Sequence, residues 1–341
     1  MELPPGVPFT LDAREACLYA LGVGAGRQPV FAGAAERRCA VVASLALSSW
    51  CLSLVCRRYV YEGDPRFVAL PTLAATFPFR GAAPGEDPVL GALAAAGLRF
   101  EPSALLHGEQ STRLHAPLAS ALRGAPLRNA TRVEAVLDKG SGALVVMRTD
   151  TRLADGALLA TNTQSVFIRG LGGFAPRAPG QQPADKPAQA PRRPPDAVWL
   201  ERVDPAAALL YRLSGDTNPL HADPAAAARG GFDAPILHGA CADACLRARC
   251  CRHLLTLQTV TGLCTLGYAV RAVLLRLCDG DAARVTRVRV RFSGVVFPGD
   301  TLETSLWRDG PLRVAFQART LERGKPALSG GVLELAPPAR L

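Results

Sequence analysis

An α+β fold built on antiparallel strands is the class this sequence predicts, and three observations carry the prediction. Several stretches alternate apolar and polar residues with a period of two, the mark of a half-buried strand: Val133, Ala135 and Leu137 in one, and Val288, Val290 and Phe292 opposite Arg287, Arg289 and Arg291 in another. Turn formers such as Asp138-Lys139-Gly140 separate these stretches at hairpin spacing. A few apolar runs of helical length accompany the strands, and a proline-rich segment divides the chain into two comparable halves.

In chain order, residues 9–25 (FTLDAREACLYALGVGA) read as an amphipathic helix capped by Asp12 and ended by Gly22 and Gly24. Residues 39–56 carry no charge between Arg37-Arg38 and Arg57-Arg58, but their length is at the lower limit for a membrane span and they contain four serines, so no span is expected. Strands are expected within 105–118, 131–148 and 158–174. Residues 175–198 hold seven prolines, which no packed element tolerates, and read as an exposed linker. Helix-like runs follow at 239–255 and 266–277. A strand over 284–292, a Pro298-Gly299-Asp300 turn and further strands finish the chain near Leu335.

The 341 residues are 49% hydrophobic, ample for a sizeable core, yet only 6% aromatic, so leucine, valine and alanine must build it. A formal net charge of +10 fits an anionic partner. No zinc-finger or aromatic–basic pattern accompanies that charge, so nucleic acid is not the expected partner and a phosphorylated small molecule suits it as well. Ten cysteines are scattered without a CxxC pair. Cys241, Cys245, Cys250 and Cys251 cluster near His238 and His253, but their spacing matches no structural zinc pattern, and small buried thiols are expected. The opening MELPPGVPFTLD lacks the basic start and apolar core of a secretory signal, and reduced thiols follow.

The chemistry concentrates in residues 209–241. Asp216, Asn218 and His221 bring an acid, an amide and an imidazole to close spacing. Asn218-Pro219 interrupts any regular helix, because a residue before proline is driven out of the helical region. The turn that results brings the two ionisable side chains together around one small reactant such as water, the requirement of general acid–base work. Asp223-Pro224 reads as the cap and first residue of the next helix.

The full string, YRLSGDTNPLHADPAAA followed by GFDAPILHG, resembles the signature of the R-specific type 2 enoyl-CoA hydratases, within the MaoC-like dehydratases. YALGVGA, LLHGEQ, VLDKGSG and LGGF resemble other parts of the same family, so the likeness spans about residues 9–335. Residues 28–56 have no counterpart in it and look like an insertion. The resemblance implies a double hot-dog, two antiparallel sheets each wrapped on a central helix. It divides the chain into an N-terminal, acyl-accommodating half (1–174), the linker (175–198), a catalytic half (199–336) and a targeting tail (337–341). One active site is expected, since the first half lacks a GDxNxxH string. No dehydrogenase or sterol-carrier region is present, so a stand-alone hydratase is expected.

The implied reaction is hydration of a trans-2-enoyl-CoA to the (3R)-3-hydroxyacyl-CoA in fatty-acid β-oxidation. Asp216 and His221 would activate the water, Asn218 would hold it, and the Gly239 N–H would receive the enolate oxygen. His107, Gly108, Lys139, Thr217, Pro219, Leu220 and Phe292 would contact the acyl-CoA. No metal or other cofactor is implied, coenzyme A being part of the substrate. A homodimer is an open expectation. Thioester hydrolysis and acyl-CoA binding without turnover remain the alternatives. Finally, Ala339-Arg340-Leu341 matches the small-basic-leucine type of peroxisomal address, and an import receptor is the expected partner.

Overall fold

The computed structural model describes residues 6–26, 57–81, 87–101, 104–174, 189–216, 221–229, 235 and 262–338. The expected insertion at 28–56 and the helix-like run at 239–255 lie outside them.

The strands form as the alternation requires. In the first half β1 (Leu105–Leu114), β2 (Arg128–Asp138), β3 (Gly142–Arg152) and β4 (Leu158–Arg169) follow α1 (Ala13–Gly22), a 3-10 helix (Pro71–Phe79) and α2 (Pro88–Ala95). In the second half β5 (Ala197–Arg202), α3 (Ala207–Tyr211), α4 (Pro224–Arg229) and α5 (Leu263–Leu277) precede β6 (Val285–Phe292), β7 (Thr301–Arg308), β8 (Arg313–Thr320) and β9 (Pro326–Leu335). Strand β5 begins two residues before the expected end of the linker. Asp12 caps α1 as expected: its side chain accepts from Glu15 N at 2.8 Å, and Glu15 returns the bond to Asp12 N at 3.1 Å.

All strand pairs are antiparallel, in the order β2-β3-β4-β1-β6-β9-β8-β7-β5. The two expected sheets therefore meet edge to edge, β1 pairing with β6 from Glu109↔Arg291 to Arg113↔Arg287. The arginines of β6 face away from the core, and Glu109 sits among them. Its carboxylate accepts from Arg291 at 2.6 and 3.0 Å and from Arg289 at 3.4 Å, while Arg287 donates to Ser111 Oγ at 3.1 Å. Stacked cations on one strand are thus met by an acid on its neighbour.

Each half lays its sheet over its own central segment, which makes a double hot-dog. In the second half that segment is α5, buried along its whole length from Leu263 to Leu274 and packed on β7, β8 and β9. In the first half it is the short 3-10 helix, packed on β1, β2 and β4. Proline explains the difference. Pro71 opens the segment, where its missing N–H costs nothing, but Pro78 falls inside and denies an α-helix one of its bonds.

Arg271 of α5 is wholly enclosed. It donates to Val23 O at 2.9 Å and pairs with the buried Glu201 of β5, whose other oxygen accepts from Trp199 Nε1 at 3.0 Å. Removing one member strands a buried charge, so Arg271→Ala or Glu201→Ala should each cost about 3–5 kcal/mol. Replacing both by apolar residues, Glu201→Leu with Arg271→Met, should recover most of that loss. Denaturant unfolding followed by tryptophan fluorescence measures all three, and a single variant as stable as the parent contradicts the assignment.

Candidate active site

The chain reaches the site through a short, tightening path. Helix α3 ends at Tyr211, a single 3-10 turn covers Arg212–Ser214, and Gly215 takes φ +129°, a conformation that side-chain-bearing residues rarely adopt. Gly215 also lies flat on the first half's 3-10 helix: a Cβ there would sit 3.5 Å from Arg80 Cγ, 3.6 Å from Phe79 Cβ and 3.7 Å from Thr76 O. The next residue is Asp216, buried, and the chain is again described from His221, also buried. Asp223 then caps α4 as expected, its Oδ1 accepting from Ala225 N at 2.8 Å.

Asp216 lies where four elements meet. Its charge reaches Tyr211 of α3, Cys264 at the start of α5 and Asp87 at the start of α2, while its neighbour Gly215 rests on the 3-10 helix. Burial pushes the Tyr211 hydroxyl and the Cys264 thiol well up, with Tyr19 and Cys264 ahead of Asp216 adding to it at Tyr211 and Asp216 adding to it at Cys264, so both stay protonated. The Tyr211 ring packs on Tyr19 with centroids 5.6 Å apart. Asp216 and His221 are both shielded from bulk water, and electrostatic effects are stronger there than at the surface.

A second group assembles on the seam between the halves. A β-bulge at Gly108 shifts the β1 register between His107 and Glu109, and that shift keeps His107 on the same core face as Gln110 and Thr112. His107 Nε2 meets Glu109 O at 3.0 Å, and its ring stands edge-on to Phe292 of β6 at 4.8 Å. Burial lowers its pKa to about 4, against the Glu109 carbonyl and Gln110, so it is neutral near pH 7. Phe292 in turn covers Gly262, where a Cβ would fall 1.7 Å from the ring. The first turn of α5 thus links the two groups, Gly262 touching Phe292 and Cys264 feeling Asp216.

Lys139 is exposed in the β2–β3 turn. Asp138 shapes that turn by accepting from Gly140 N at 2.7 Å and Gly173 N at 3.0 Å. The strand register puts this turn at the His107 end of the sheet, beyond Val166↔Val145. Thr217, Asn218, Pro219, Leu220 and Gly239 lie outside the described residues, as do Cys241, Cys245, Cys250, Cys251, His238 and His253. Among the described residues no cluster of three or more His, Cys, Asp or Glu could hold a metal ion, and no helix is long and apolar enough to cross a membrane.

Asp87 also comes within electrostatic reach of Asp216, a neighbourhood the sequence does not announce. Its Oδ1 caps α2, accepting from Val89 N at 2.8 Å and Leu90 N at 3.2 Å. The Asp-Pro at 87–88 is a legible cap signal, but nothing in it points to Asp216. Burial first, and then the Asp216 charge, raise its pKa to about 6 against the two capping N–H groups.

Known proteins bear directly on this geometry. Residues 53–170 match the family described as the MFE-2 hydratase 2 N-terminal domain, and residues 185–260 and 254–330 match the MaoC like domain. The chain is 35% identical over 335 residues to the peroxisomal enoyl-CoA hydratase 2 of Arabidopsis thaliana, covering 96% of this chain and 91% of that one. It is 36% identical over 284 residues to the peroxisomal multifunctional enzyme type 2 of Mus musculus, covering 82% of this chain but 34% of the much longer mouse protein. Among solved structures, a MaoC-like dehydratase from Phytophthora capsici superposes with a TM-score of 0.72 at 31% identity, covering 99% of this chain and 96% of that one.

The raised pKa of Asp87 has a consequence for stability. The folded state holds its proton more tightly than the unfolded chain does, so the stability it contributes is full at low pH and is lost as pH rises through about 6. Asp87→Asn keeps the cap and removes the charge beside Asp216. The variant should therefore gain thermal stability over the parent between about pH 4 and about pH 7. Unfolding midpoints at the two pH values measure this, and an unchanged difference would contradict the raised pKa of Asp87.

Proposed function

The chain belongs to the enoyl-CoA hydratase 2 family of MaoC-like hydro-lyases, and from that membership we propose that it adds water to trans-2-enoyl-CoA thioesters, giving (3R)-3-hydroxyacyl-CoA in fatty-acid β-oxidation, with Asp216 and His221 as its base and acid. The observation that carries the assignment is the burial of both Asp216 and His221, with Gly215, just before Asp216, resting on the first half's 3-10 helix.

Hydration faces two difficulties. Water is a weak nucleophile, and its attack at C3 drives negative charge through C2 onto the thioester oxygen. Asp216 takes a proton from the water as its oxygen bonds to C3. His221 shares that water and delivers a proton to C2, so the elements of water are added with no change in oxidation state overall. Each such group is worth about 10²–10⁴-fold in rate. Asn218 holds the water or the carboxylate. The Gly239 backbone N–H receives the enolate oxygen, a contribution of about 3–4 kcal/mol for a preorganised donor. The burial of Asp216 supports the scheme, since it shields the reacting water from bulk solvent.

The acyl-CoA lies along the seam. His107, Gly108 and Phe292 contact the acyl-CoA, as do Thr217, Pro219 and Leu220, which lie outside the described residues. His107 serves as a neutral hydrogen-bonding group, as its lowered pKa dictates. Lys139, exposed at the same end of the sheet, meets a phosphate of coenzyme A. Residues 1–174 form the acyl-accommodating half and 199–336 the catalytic half, joined through 175–198. No cofactor beyond the substrate's own coenzyme A takes part. The peroxisomal names of the relatives support a peroxisomal location, with Ala339, Arg340 and Leu341, outside the described residues, as the segment that the import receptor reads.

Crotonyl-CoA tests the chemistry directly. Loss of the enoyl absorbance without release of free thiol indicates hydration, whereas free thiol indicates a thioesterase. Asp216→Asn and His221→Ala should each lower turnover by at least about 10²-fold with unchanged circular dichroism. Near-parental activity in either would sink the assignment. The product should give no NADH with an S-specific 3-hydroxyacyl-CoA dehydrogenase and NAD⁺, and a strong signal there would contradict the R stereochemistry. A fluorescent protein fused to the N-terminus should appear in peroxisomes and become diffuse when Leu341 is deleted. Diffuse signal with the tail intact would overturn the location.

A further inference from the structure

We propose that Asn129 and Asn162 are positioning residues for Asp216, their side-chain amides holding the Pro71–Phe79 helix as the platform on which Gly215 and Asp216 are set. The inference rests on reading Asp216 as the base.

The 3-10 helix lies across the core face of the first half's sheet, and two buried amides bind its carbonyls. Asn162 of β4 donates to Ala74 O at 2.9 Å. Asn129 of β2 donates to Phe77 O at 2.6 Å and to Arg80 O at 3.3 Å. Neither amide is at liberty to turn round. Asn162 Oδ1 accepts from Gln110 Nε2 at 2.9 Å and from Thr112 Oγ1 at 2.7 Å. Asn129 Oδ1 accepts from Thr151 Oγ1 at 2.8 Å. With each oxygen occupied by donors, each nitrogen must face the helix.

These bonds bracket the surface that Gly215 rests on. Thr76 O, Phe79 and Arg80, the atoms nearest Gly215, fall between the Ala74 and Arg80 carbonyls that the amides hold. Arg80 is further held by Glu15 of α1 at 2.6 Å. Apolar burial alone would leave the helix able to slide along the sheet. Directional bonds to fixed amides do not, and buried polar networks that are satisfied specify one arrangement. Asp216 follows Gly215 directly, so a shift of the platform moves the carboxylate. Displacement of a catalytic group by about 1 Å can cost about 10²-fold in rate.

The test compares the full-length protein with Asn129→Ala, Asn162→Ala, Asn162→Asp and Thr149→Val. Thr149 is buried on the same sheet face and bonds Thr131 at 3.0 Å, so its replacement controls for damage to the sheet. With crotonyl-CoA, each alanine variant should lose about 10–100-fold in kcat, with KM changed by less than about threefold. Thr149→Val should lower the unfolding midpoint and keep kcat. Asn162→Asp keeps the acceptor for Gln110 and Thr112 but can donate to Ala74 O only while protonated. Its kcat relative to the parent should therefore fall as pH rises.

Parental kcat in both alanine variants overturns the inference, and so does an equal loss in Thr149→Val. If the alanine variants do not fold, a pH-independent ratio for Asn162→Asp overturns it. Activity in Asp216→Asn would instead remove the base assignment and take this inference down with it. An inactive Asp216→Asn beside fully active asparagine variants rejects the positioning role alone.

Discussion

The pairing of β1 with β6 is the constraint on which the rest depends. Each half-sheet on its own would end in an exposed edge, β1 on one side and β6 on the other, with unpaired backbone donors and acceptors. Joined, they form one sheet and bring the two central segments, the 3-10 helix and α5, into contact on its core face. Asp216 is placed between those segments, and His107 and Phe292 sit on the seam itself. The site is thus a product of the junction, since neither half carries all of its groups. Glu109 among Arg289 and Arg291 selects the register from the solvent side. A shifted register would take this acid away from Arg289 and Arg291, although the observed one also sets Arg113 opposite Arg287.

The halves solve the same burial problem differently. The second half uses α5, whose apolar surface is covered from Leu263 to Leu274 and whose one buried cation, Arg271, is paired with Glu201. The first half places a polar layer, Gln110, Thr112, Asn129, Thr151 and Asn162, under a helix interrupted by proline. Such a layer is costly unless its bonds are made, and here the amides are matched to backbone carbonyls that the 3-10 geometry leaves available. The half without the acid–base string is therefore the one that supplies the directional support.

Much of this was legible in the sequence. Period-two alternation placed the arginine face of β6, Asp12 announced the start of α1, and Asp223-Pro224 announced α4. The GDTNPLH string singles out Asp216 and His221 as candidates because its chemistry is compressed into a few residues. Family resemblance alone marks His107 and Phe292 as candidate substrate contacts, since alternation by itself reads them as core residues.

What the sequence by itself determined is local: which stretches alternate, where helices are capped, and which short string holds an acid beside an imidazole. Only the tertiary structure decided that His107 meets Phe292, that Asp87 shares its surroundings with Asp216, and that Asn129 and Asn162 grip the helix beneath Gly215. The physical reason is the range of the forces. Alternation and capping act over a few residues. Strand register at the seam, and the burial that shifts the pKa of His107 and Asp87, exist only once distant segments have packed.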